Sequence, residues 1–233
     1  MSLERCYVVA SQRPWNAQLA QRLATRTGKR IVAIHSADEL VPERLDALQP
    51  RFVFIAHWST RIPDTVWSAH ECVIFHMTDV PYGRGGSPLQ NLIVRGHRDT
   101  QLSALRCVRE LDAGPVYLKR PLSLEGSAGE IFLRADRLIE DMICDIIRDE
   151  PAPVEQQGEP VMFKRRRPED GDLRQATTLE NWYDFIRMLD AEGYPRAFLD
   201  VNGIRIEFSK VRREGDRLNA EVVLRDTTKE KAT

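Results

Sequence analysis

Apolar runs of four or five residues alternate with amphipathic segments in the N-terminal part of the chain, a pattern that predicts strands and helices in turn. Buried strands are predicted at residues 6–10, 31–34, 52–56 and 72–75, and helices at residues 15–26, 42–48 and 89–95. Strands that alternate with helices at this spacing favour a mostly parallel sheet covered by helices. The predicted fold class is therefore α/β, with a Rossmann-like sheet.

A β-hairpin and a long helix are predicted next. Residues 103–111 form a largely apolar run that stops at the turn Asp112-Ala113-Gly114, and residues 116–122 run back from it. Aspartate accepts local backbone N–H groups and glycine tolerates positive φ, so this sequence suits a turn. Apolar residues three and four apart then predict a helix at residues 131–147, and Ser127 with Glu130 predicts a capping box at its start.

The C-terminal third predicts a connector followed by a small helix-plus-β appendage. Residues 151–160 are polar and rich in proline, as linkers often are. Residues 178–189 have an amphipathic helical pattern, Asn202-Gly203 suits a type I′ turn, and residues 204–211 alternate as a strand does. We predict a main domain at residues 1–150, a linker at residues 151–177 and a C-terminal α+β subdomain at residues 178–233.

Composition narrows the class of protein. The formal net charge of −1 gives the chain no general attraction to nucleic acid or anionic membrane. No apolar run approaches the ~20 residues of a membrane span, and the N-terminus lacks the apolar core of a signal peptide. Cys6, Cys72, Cys107 and Cys144 fall in apolar stretches without CxxC spacing, which favours reduced core residues. These features predict a cytoplasmic protein with no metal site and no membrane partner.

Two titratable residues flank a glycine-rich loop and are candidates for catalysis. His76 follows the apolar run at residues 72–75, and Asp112 stands at the predicted turn. Both are therefore expected at strand ends, where an open α/β sheet usually holds its ligands. Taken singly, each also has a structural interpretation, as a hydrogen-bonded histidine and as a turn aspartate. Position alone does not decide between structure and catalysis.

Three motifs in order give the chain a resemblance to a known family. His76 stands five residues before Pro81, Gly85-Gly86-Ser87-Pro88 opens a helix, and Leu111-Asp112-Ala113-Gly114 follows. In this order they resemble the 10-formyltetrahydrofolate-dependent formyltransferases. The likeness covers most of residues 53–149 and, less closely, residues 163–210. It implies an enzyme whose catalytic domain uses 10-formyltetrahydrofolate as formyl donor, with His76 as general acid/base and Asp112 supporting its imidazole.

The resemblance also implies binding residues. The loop after the third strand is expected to hold the pteridine ring of the folate, and residues before the turn are expected to contact the folate as well. The polar loop after the first strand is a ready anion site, although an ordinary loop with a solvated arginine explains it equally well. The candidate cofactor-binding residues are Trp58, Ser59, Arg61, Ile62, Val108, Glu110 and Leu111, and the candidate substrate-binding residues are Ser11, Gln12, Arg13, Tyr82, Gly83, Arg84, Gly85 and Gly86.

One residue departs from the family pattern. Members usually carry an asparagine two residues before the histidine, where it helps to bind the formyl oxygen, and this chain has Ile74 there. Isoleucine cannot donate a hydrogen bond, and losing one such donor typically costs a hundredfold or more in rate. The candidate replacements are Asn91, Thr78 and a main-chain N–H of the loop. The alternative is a protein that has lost the chemistry.

The acceptor of the formyl group is predicted from the branch that the chain resembles. The stretches FHMTDVPYGRGGSPLQNLI and FIRMLDAEGYPRAFLD are similar to formyltransferases that act on nucleotide-linked amino sugars. That similarity implies a UDP- or dTDP-linked 4-amino-4,6-dideoxy sugar as the partner. The near-neutral charge and the short C-terminal segment disfavour methionyl-tRNA. The alternatives are a methionyl-tRNA formyltransferase and a catalytically impaired folate- or sugar-binding protein.

Two further partners are weighed from local composition. The basic run at residues 164–167 is followed closely by acidic residues in the stretch 169–172, so we expect a solvated face, or a tether that packs on the catalytic domain, and no nucleic acid partner. The apolar segment at residues 198–224 offers a surface for a homodimer.

Overall fold

The computed structural model describes residues 5–228. Its strands, in chain order, are β1 Cys6–Ala10, β2 Arg30–Ile34, β3 Pro50–Ile55, β4 Cys72–His76, β5 Tyr82–Gly85, β6 Asp99–Arg106, β7 Val116–Ser123, β8 Val161–Phe163, β9 Ala197–Val201, β10 Ile204–Glu214 and β11 Arg217–Asp226. Its α-helices are α1 Leu19–Thr27, α2 Pro42–Leu48, α3 Asp64–Trp67, α4 Pro88–Val94, α5 Ala128–Asp149 and α6 Leu179–Met188. Single 3₁₀ turns lie at Pro14–Asn16, Ala37–Glu39, Pro168–Gly171 and Leu173–Gln175.

A six-stranded sheet in the order β2-β1-β3-β4-β6-β7 forms the main layer. β1 pairs in parallel with β2 and β3, and β3 pairs in parallel with β4, whereas β4 and β6 are antiparallel. Every residue of β1 is buried, as expected of a parallel strand that is covered on both faces. The predicted α/β class with a mostly parallel sheet is therefore confirmed.

The predicted strand at residues 103–111 is wrong at both ends. β6 begins four residues earlier, at Asp99, and ends at Arg106. The apolar pattern misleads because Val108 and Leu111 extend it into a connection, residues 107–115, in which Leu111 is 64% exposed. The amide of Cys107 donates to the carbonyl oxygen of Cys72 at 2.8 Å, so this connection starts beside the first residue of β4.

The helices lie where the pattern predicts them, with shifted ends. α1 begins at Leu19, after the 3₁₀ turn, and ends at Thr27; the next residue, Gly28, has a left-handed φ of 66°. α5 begins at Ala128, three residues before the predicted start. The predicted capping box is confirmed: the amide of Glu130 donates to Ser127 Oγ at 3.3 Å, and the amide of Ser127 donates to Glu130 Oε2 at 2.8 Å.

The C-terminal segment forms a separate antiparallel sheet in the order β11-β10-β9. Asn202 and Gly203 both have positive φ, 48° and 79°, which is the signature of the predicted type I′ turn. The indole of Trp182 on α6 meets the ring of Phe208 on β10 edge to face, with centroids 6.0 Å apart. Large apolar residues of β11 are exposed, among them Leu224 at 65%; the homodimer stays a prediction.

The predicted linker, residues 151–177, forms backbone hydrogen bonds with earlier parts of the chain at two places. Val154 exchanges backbone hydrogen bonds with Val116 at 2.8 and 2.9 Å. Farther along, β8 pairs with β5 in a two-stranded sheet. These contacts distinguish the segment from a free linker.

The described chain divides into two compact units that are discontinuous in sequence. One unit comprises the residues up to Arg84, Gln101–Leu122 and Arg134–Met162; the other comprises Gly85–Thr100, Ser123–Leu133 and the residues from Phe163 onward. The predicted boundaries after residues 150 and 177 do not coincide with this division and stay predictions. Among residues 5–228, none of the helices combines the length and the apolar composition needed to cross a bilayer.

Candidate active site

His76 is the last residue of β4 and is almost fully buried. Its Nε2 lies 2.8 Å from the carbonyl oxygen of Gly83. A carbonyl can only accept, so Nε2 carries a proton and donates it to Gly83. Thr78 Oγ1 donates to the same carbonyl at 3.3 Å. The loop that follows β4 therefore fixes the ring and the site of its proton.

Asp112 approaches the other side of the same ring. It lies in the connection at residues 107–115, with a left-handed φ of 54°, and it is buried. Its Oδ2 is 3.5 Å from Nδ1 of His76. Each ring nitrogen of His76 thus lies beside an oxygen atom. The structure brings the two predicted catalytic residues together.

The route by which Asp112 reaches His76 differs from the predicted one. β4 and β6 are antiparallel, so the connection after β6 starts beside Cys72, at the opposite end of β4 from His76. The four steps from Cys72 to His76 span roughly 13 Å of extended chain. The connection must fold back over this distance. Asp112 is therefore not at a strand end, and the expectation that both residues stand at strand ends is wrong for it.

Close packing of Gly114 shapes this return. A Cβ atom built on Gly114 would lie 1.8 Å from the carbonyl oxygen of Arg106. The amide of Arg106 also donates to the carbonyl oxygen of Pro115 at 2.9 Å. The last residue of β6 and the end of the connection thus lie in direct backbone contact, with no room for a side chain at position 114.

The candidate anion loop and the candidate pteridine loop emerge at the same edge of the sheet as His76. β1 and β3 are parallel to β4, or linked to it through parallel pairs, so their carboxyl ends share that edge. The hydroxyl of Ser59 donates to Gln12 Oε1 at 2.9 Å, and the Ser59 amide donates to the same oxygen at 3.2 Å. Arg13 lies over the ring of Trp15, 5.6 Å from its centroid. The two loops are thereby joined.

The candidate folate contacts differ in exposure. The indole N–H of Trp58 is buried and has no acceptor within the described residues, so it is a donor that a pteridine ring can use. Arg61 is exposed and pairs with Asp64 at 3.1 Å. Leu111 is exposed beside Asp112, and Glu110 is exposed as well. A buried donor and exposed apolar surface fit a flat heteroaromatic ligand; these assignments stay proposals.

The side chain at position 74 has no hydrogen-bond donor. Ile74 is part-buried and packs against the apolar cluster that contains Ile55 and Cys72. Asn91, one candidate replacement, belongs to the second unit, and its amide donates to the carbonyl oxygens of Gly86 and Lys164 at 2.9 and 2.8 Å. Both amide hydrogens are thus engaged in holding the main chain. The single hydroxyl hydrogen of Thr78 is engaged as well, with the carbonyl oxygen of Gly83, which leaves a main-chain N–H of the loop as the candidate.

Residues of the second unit pack so closely against Gly85 and Gly86 that a side chain at either position would clash. A Cβ on Gly85 would lie 2.4 Å from the carbonyl oxygen of Phe163, and one on Gly86 would lie 2.5 Å from Cβ of Arg165. Their small size is therefore explained by packing within the second unit. The proposed role in substrate binding, like that of Tyr82, stays a prediction.

Sequence reasoning missed one residue of the first unit that contacts this site. Gln156, in the predicted connector, bonds to the main chain on either side of Ala113 and to the side chain of Arg84. No spacing or motif marks it, because its partners are mostly backbone atoms.

Cys107 opens the connection that carries Asp112 but is not a candidate nucleophile. Burial, reinforced by the charges of Asp112 and Asp64, raises the pKa of its thiol to about 11. A thiol with that pKa remains protonated at neutral pH, and the nucleophilic form is the thiolate. All four cysteines are free in the structure, and the reduced state stays a prediction.

A second buried histidine lies in the candidate pteridine loop. His57 has a left-handed φ of 49°, and its Nε2 is 3.7 Å from Asp136 Oδ1. Burial, together with the charge of Arg13, lowers the pKa of His57 to about 4. This imidazole is therefore neutral at pH 7, because the folded state does not favour the second proton that would give it a positive charge.

Replacing His57 by glutamine is expected to weaken the pH dependence of stability. Between pH 4 and 6.5 the unfolded chain binds a proton that folded His57 does not, so the free energy of unfolding falls as the pH falls through this window. His57 alone accounts for ~3 kcal/mol of that loss. Denaturant unfolding at pH 7 and pH 4 measures it. An equal loss in wild type and His57→Gln would contradict the assignment.

Comparisons with known proteins identify similar chains. A family model described as the C-terminal domain of methionyl-tRNA formyltransferase matches residues 168–225. The methionyl-tRNA formyltransferase of Malacoplasma penetrans is 26% identical over 131 residues, which cover 53% of this chain and 41% of that protein. The chain spans about half the length of several curated relatives that it matches.

Solved structures extend the comparison. A structure described as methionyl-tRNA formyltransferase from Clostridium thermocellum is 40% identical to this chain. The match covers 95% of this chain and 99% of the Clostridium chain, with a TM-score of 0.92. A sugar N-formyltransferase from Shewanella is 13% identical, with 88% and 97% coverage and a TM-score of 0.69. The second likeness concerns the fold alone.

The predicted amino-sugar acceptor is wrong. The Clostridium thermocellum relative, which is 40% identical and matched over 99% of its length, is described as a methionyl-tRNA formyltransferase, and so are the curated relatives. The argument from a short C-terminal segment fails, because that relative is matched end to end and a model of the RNA-directed enzyme's C-terminal domain fits residues 168–225. The expectation that there is no nucleic acid partner is not supported either, because these relatives are named for a tRNA substrate.

Proposed function

The chain belongs to the formyltransferase family, and from that premise we propose that it transfers the formyl group of 10-formyltetrahydrofolate to the amino group of methionyl-tRNA. The observation that carries the chemistry is the buried pair of His76 and Asp112. The choice of acceptor is supported by the names of the relatives. Such a reaction belongs in the cytoplasm, where the composition also predicts this protein.

The donor supplies an activated formyl group on N10 of the folate. The acceptor amine must arrive uncharged, because an ammonium has no lone pair with which to attack the formyl carbon. As the new C–N bond forms, the amine loses a proton and the departing N10 gains one. A group that accepts the first proton and delivers the second is therefore required.

We propose that His76 serves this proton transfer through Asp112, which faces the ring nitrogen that carries no proton and which takes the amine proton directly or through water. Its Nε2–H donates to the Gly83 carbonyl, so the proton is held on the nitrogen that points away from Asp112. Asp112 faces Nδ1 and stabilises the positive charge that the ring gains on accepting a second proton. Burial of both residues strengthens that electrostatic support, because water does not screen it.

Stabilisation of the formyl oxygen falls to donors other than residue 74. Thr78 is fully buried, two residues beyond His76, and its hydroxyl shares the Gly83 carbonyl with the imidazole. Because that hydroxyl has a single hydrogen, we propose that a main-chain N–H of the loop supplies the hydrogen bond that the family asparagine provides elsewhere. The folate itself would be held by Trp58 and its neighbours and by residues 108–111.

An exposed basic run in the second unit is the proposed contact for the RNA. Lys164, Arg165 and Arg167 are exposed, whereas Arg166 is part-buried and donates to the carbonyl oxygen of Asp170 at 2.7 Å. The ring of Phe163, just before the run, packs under the guanidinium of Arg95 at 4.5 Å. Exposed cations that directly follow a strand, here β8, are suited to phosphate contacts.

The proposal is tested by incubating the protein with 10-formyltetrahydrofolate and initiator methionyl-tRNA and measuring the mass of the released methionine. A gain of one formyl group is expected. Folate binding in calorimetry without any formyl transfer would overturn the proposed activity and favour the impaired binding protein that Ile74 allows.

The RNA contact has its own expected result. Arg165→Glu combined with Arg167→Glu should raise KM for methionyl-tRNA at least ~10-fold and make the log–log dependence of binding on salt shallower by about 2, because two phosphate contacts are lost. The matched control is Arg212→Glu with Arg217→Glu, two exposed arginines of the C-terminal sheet. Equal effects of both pairs on KM and on the salt slope would show that the basic run has no special role.

A further inference from the structure

Gln156 connects the turn that carries Asp112 with the loop that fixes His76. Its Nε2 donates to the carbonyl oxygens of Asp112 and Gly114, both at 2.8 Å. Its Oε1 accepts from Arg84, from Nε at 3.0 Å and from Nη2 at 2.7 Å. Every hydrogen-bonding position of the amide is thereby used.

The partners also fix which way the amide points. The two carbonyl oxygens can only accept and the guanidinium can only donate, so a flipped amide would face like groups on both sides. A glutamine that is fully engaged in one orientation holds its partners at defined distances from each other. The side chain is only part-buried and sits on the predicted connector, yet it is as constrained as a core amide.

These contacts close a ring around the candidate catalytic pair. His76 Nδ1 faces Asp112, and Nε2 donates to Gly83. Gly83 is joined covalently to Arg84, whose guanidinium binds Gln156. Gln156 in turn holds the main chain of Asp112. The two acceptors on either side of the imidazole are thus tied to each other through a single side chain.

We propose that Gln156 is a positioning residue for formyl transfer, which sets the distance between Asp112 and the imidazole of His76. This inference rests on the proposed function. Asp112 has a left-handed φ of 54°, a conformation that a non-glycine residue keeps only where its surroundings hold it. The hydrogen bonds from Gln156 are part of those surroundings. Removing the two hydrogen bonds from Gln156 releases the turn and lets the carboxylate move away from Nδ1.

Two substitutions distinguish the hydrogen bonds that Gln156 donates to the turn from those that it accepts from Arg84. Gln156→Leu removes all four hydrogen bonds. Gln156→Glu keeps an acceptor for Arg84 but removes both N–H donors and sets a carboxylate against two carbonyl oxygens. Because small displacements of catalytic groups cost up to ~100-fold in rate, we expect both variants to lower kcat about 10- to 100-fold, with KM for both substrates unchanged within about twofold.

The control is Gln157→Leu, which alters the neighbouring, exposed glutamine. It should leave kcat and both KM values unchanged. The second readout is the pair of ¹⁵N ring signals of His76 in the free protein, which needs no turnover. These signals should shift in Gln156→Leu and Gln156→Glu and stay in place in Gln157→Leu.

The outcomes divide cleanly. Lower kcat, constant KM and shifted His76 signals support the positioning role. A kcat within about twofold of wild type, or unchanged His76 signals in both Gln156 variants, overturns it. If Gln156→Leu does not fold, the isosteric Gln156→Glu decides. If the wild type transfers no formyl group, the proposed function fails while the His76 signals alone still decide whether Gln156 positions the ring.

Discussion

Replacing His76 by alanine is expected to lower kcat for formyl transfer at least ~100-fold, and Asp112→Ala is expected to do the same. In the proposed mechanism His76 and Asp112 together pass the amine proton to the departing N10, and Asp112 faces Nδ1 of His76 at 3.5 Å. The double variant should be little slower than either single one, because groups that act as a unit are not additive. Single-turnover assays with 10-formyltetrahydrofolate measure these rates.

Another histidine–carboxylate contact, between His70 and Asp46, provides the control. His70 Nε2 lies 3.2 Å from Asp46 Oδ1, and the His70 side chain is as buried as that of His76. His70→Ala removes a ring of equal size from the same unit and should leave kcat unchanged. A purified His76→Ala or Asp112→Ala protein with near-normal kcat would refute the assignment, and so would an equal loss in His70→Ala.

The fold is readable from the sequence where burial is complete. β1 and β4 are covered on both faces over most of their length, so their residues form continuous apolar runs bounded by polar loops. The end of β6 is not readable, because apolar residues continue past Arg106 into an exposed turn. Periodicity reports which residues are apolar, but it does not report where backbone pairing stops. That is decided by Gly114 and by the contact between Arg106 and Pro115.

The site was partly readable. His76 and Asp112 could be paired because both fall in motifs that resemble one family, although 36 positions separate them (112 − 76). Gln156 could not be found, because main-chain carbonyls carry no sequence signature. The acceptor was predicted wrongly for a different reason. Net charge averages over the whole chain, and the basic run at residues 164–167 was discounted because acidic residues follow it, although Lys164, Arg165 and Arg167 are exposed.

Gly114→Ala is expected to destabilise the protein and to disable the site together. The new Cβ would lie 1.8 Å from the Arg106 carbonyl oxygen and 3.3 Å from Cγ1 of Val108. A backbone oxygen cannot rotate aside as a side chain can, so the connection itself must move. Overpacking of this kind costs about 1–3 kcal/mol, and we expect the upper end. Because Asp112 is only two residues away, kcat should fall about 100-fold.

A matched glycine separates the two effects. Gly28→Ala adds a methyl where no other heavy atom lies within 4 Å, at a left-handed φ of 66°. It should cost about 1 kcal/mol in the free energy of unfolding through backbone strain alone and leave kcat unchanged. If Gly114→Ala acts by displacing Asp112, adding it to Asp112→Ala should lower kcat no further. A large extra loss in that double variant, or normal kcat in Gly114→Ala itself, would show that the turn does not set the position of the carboxylate.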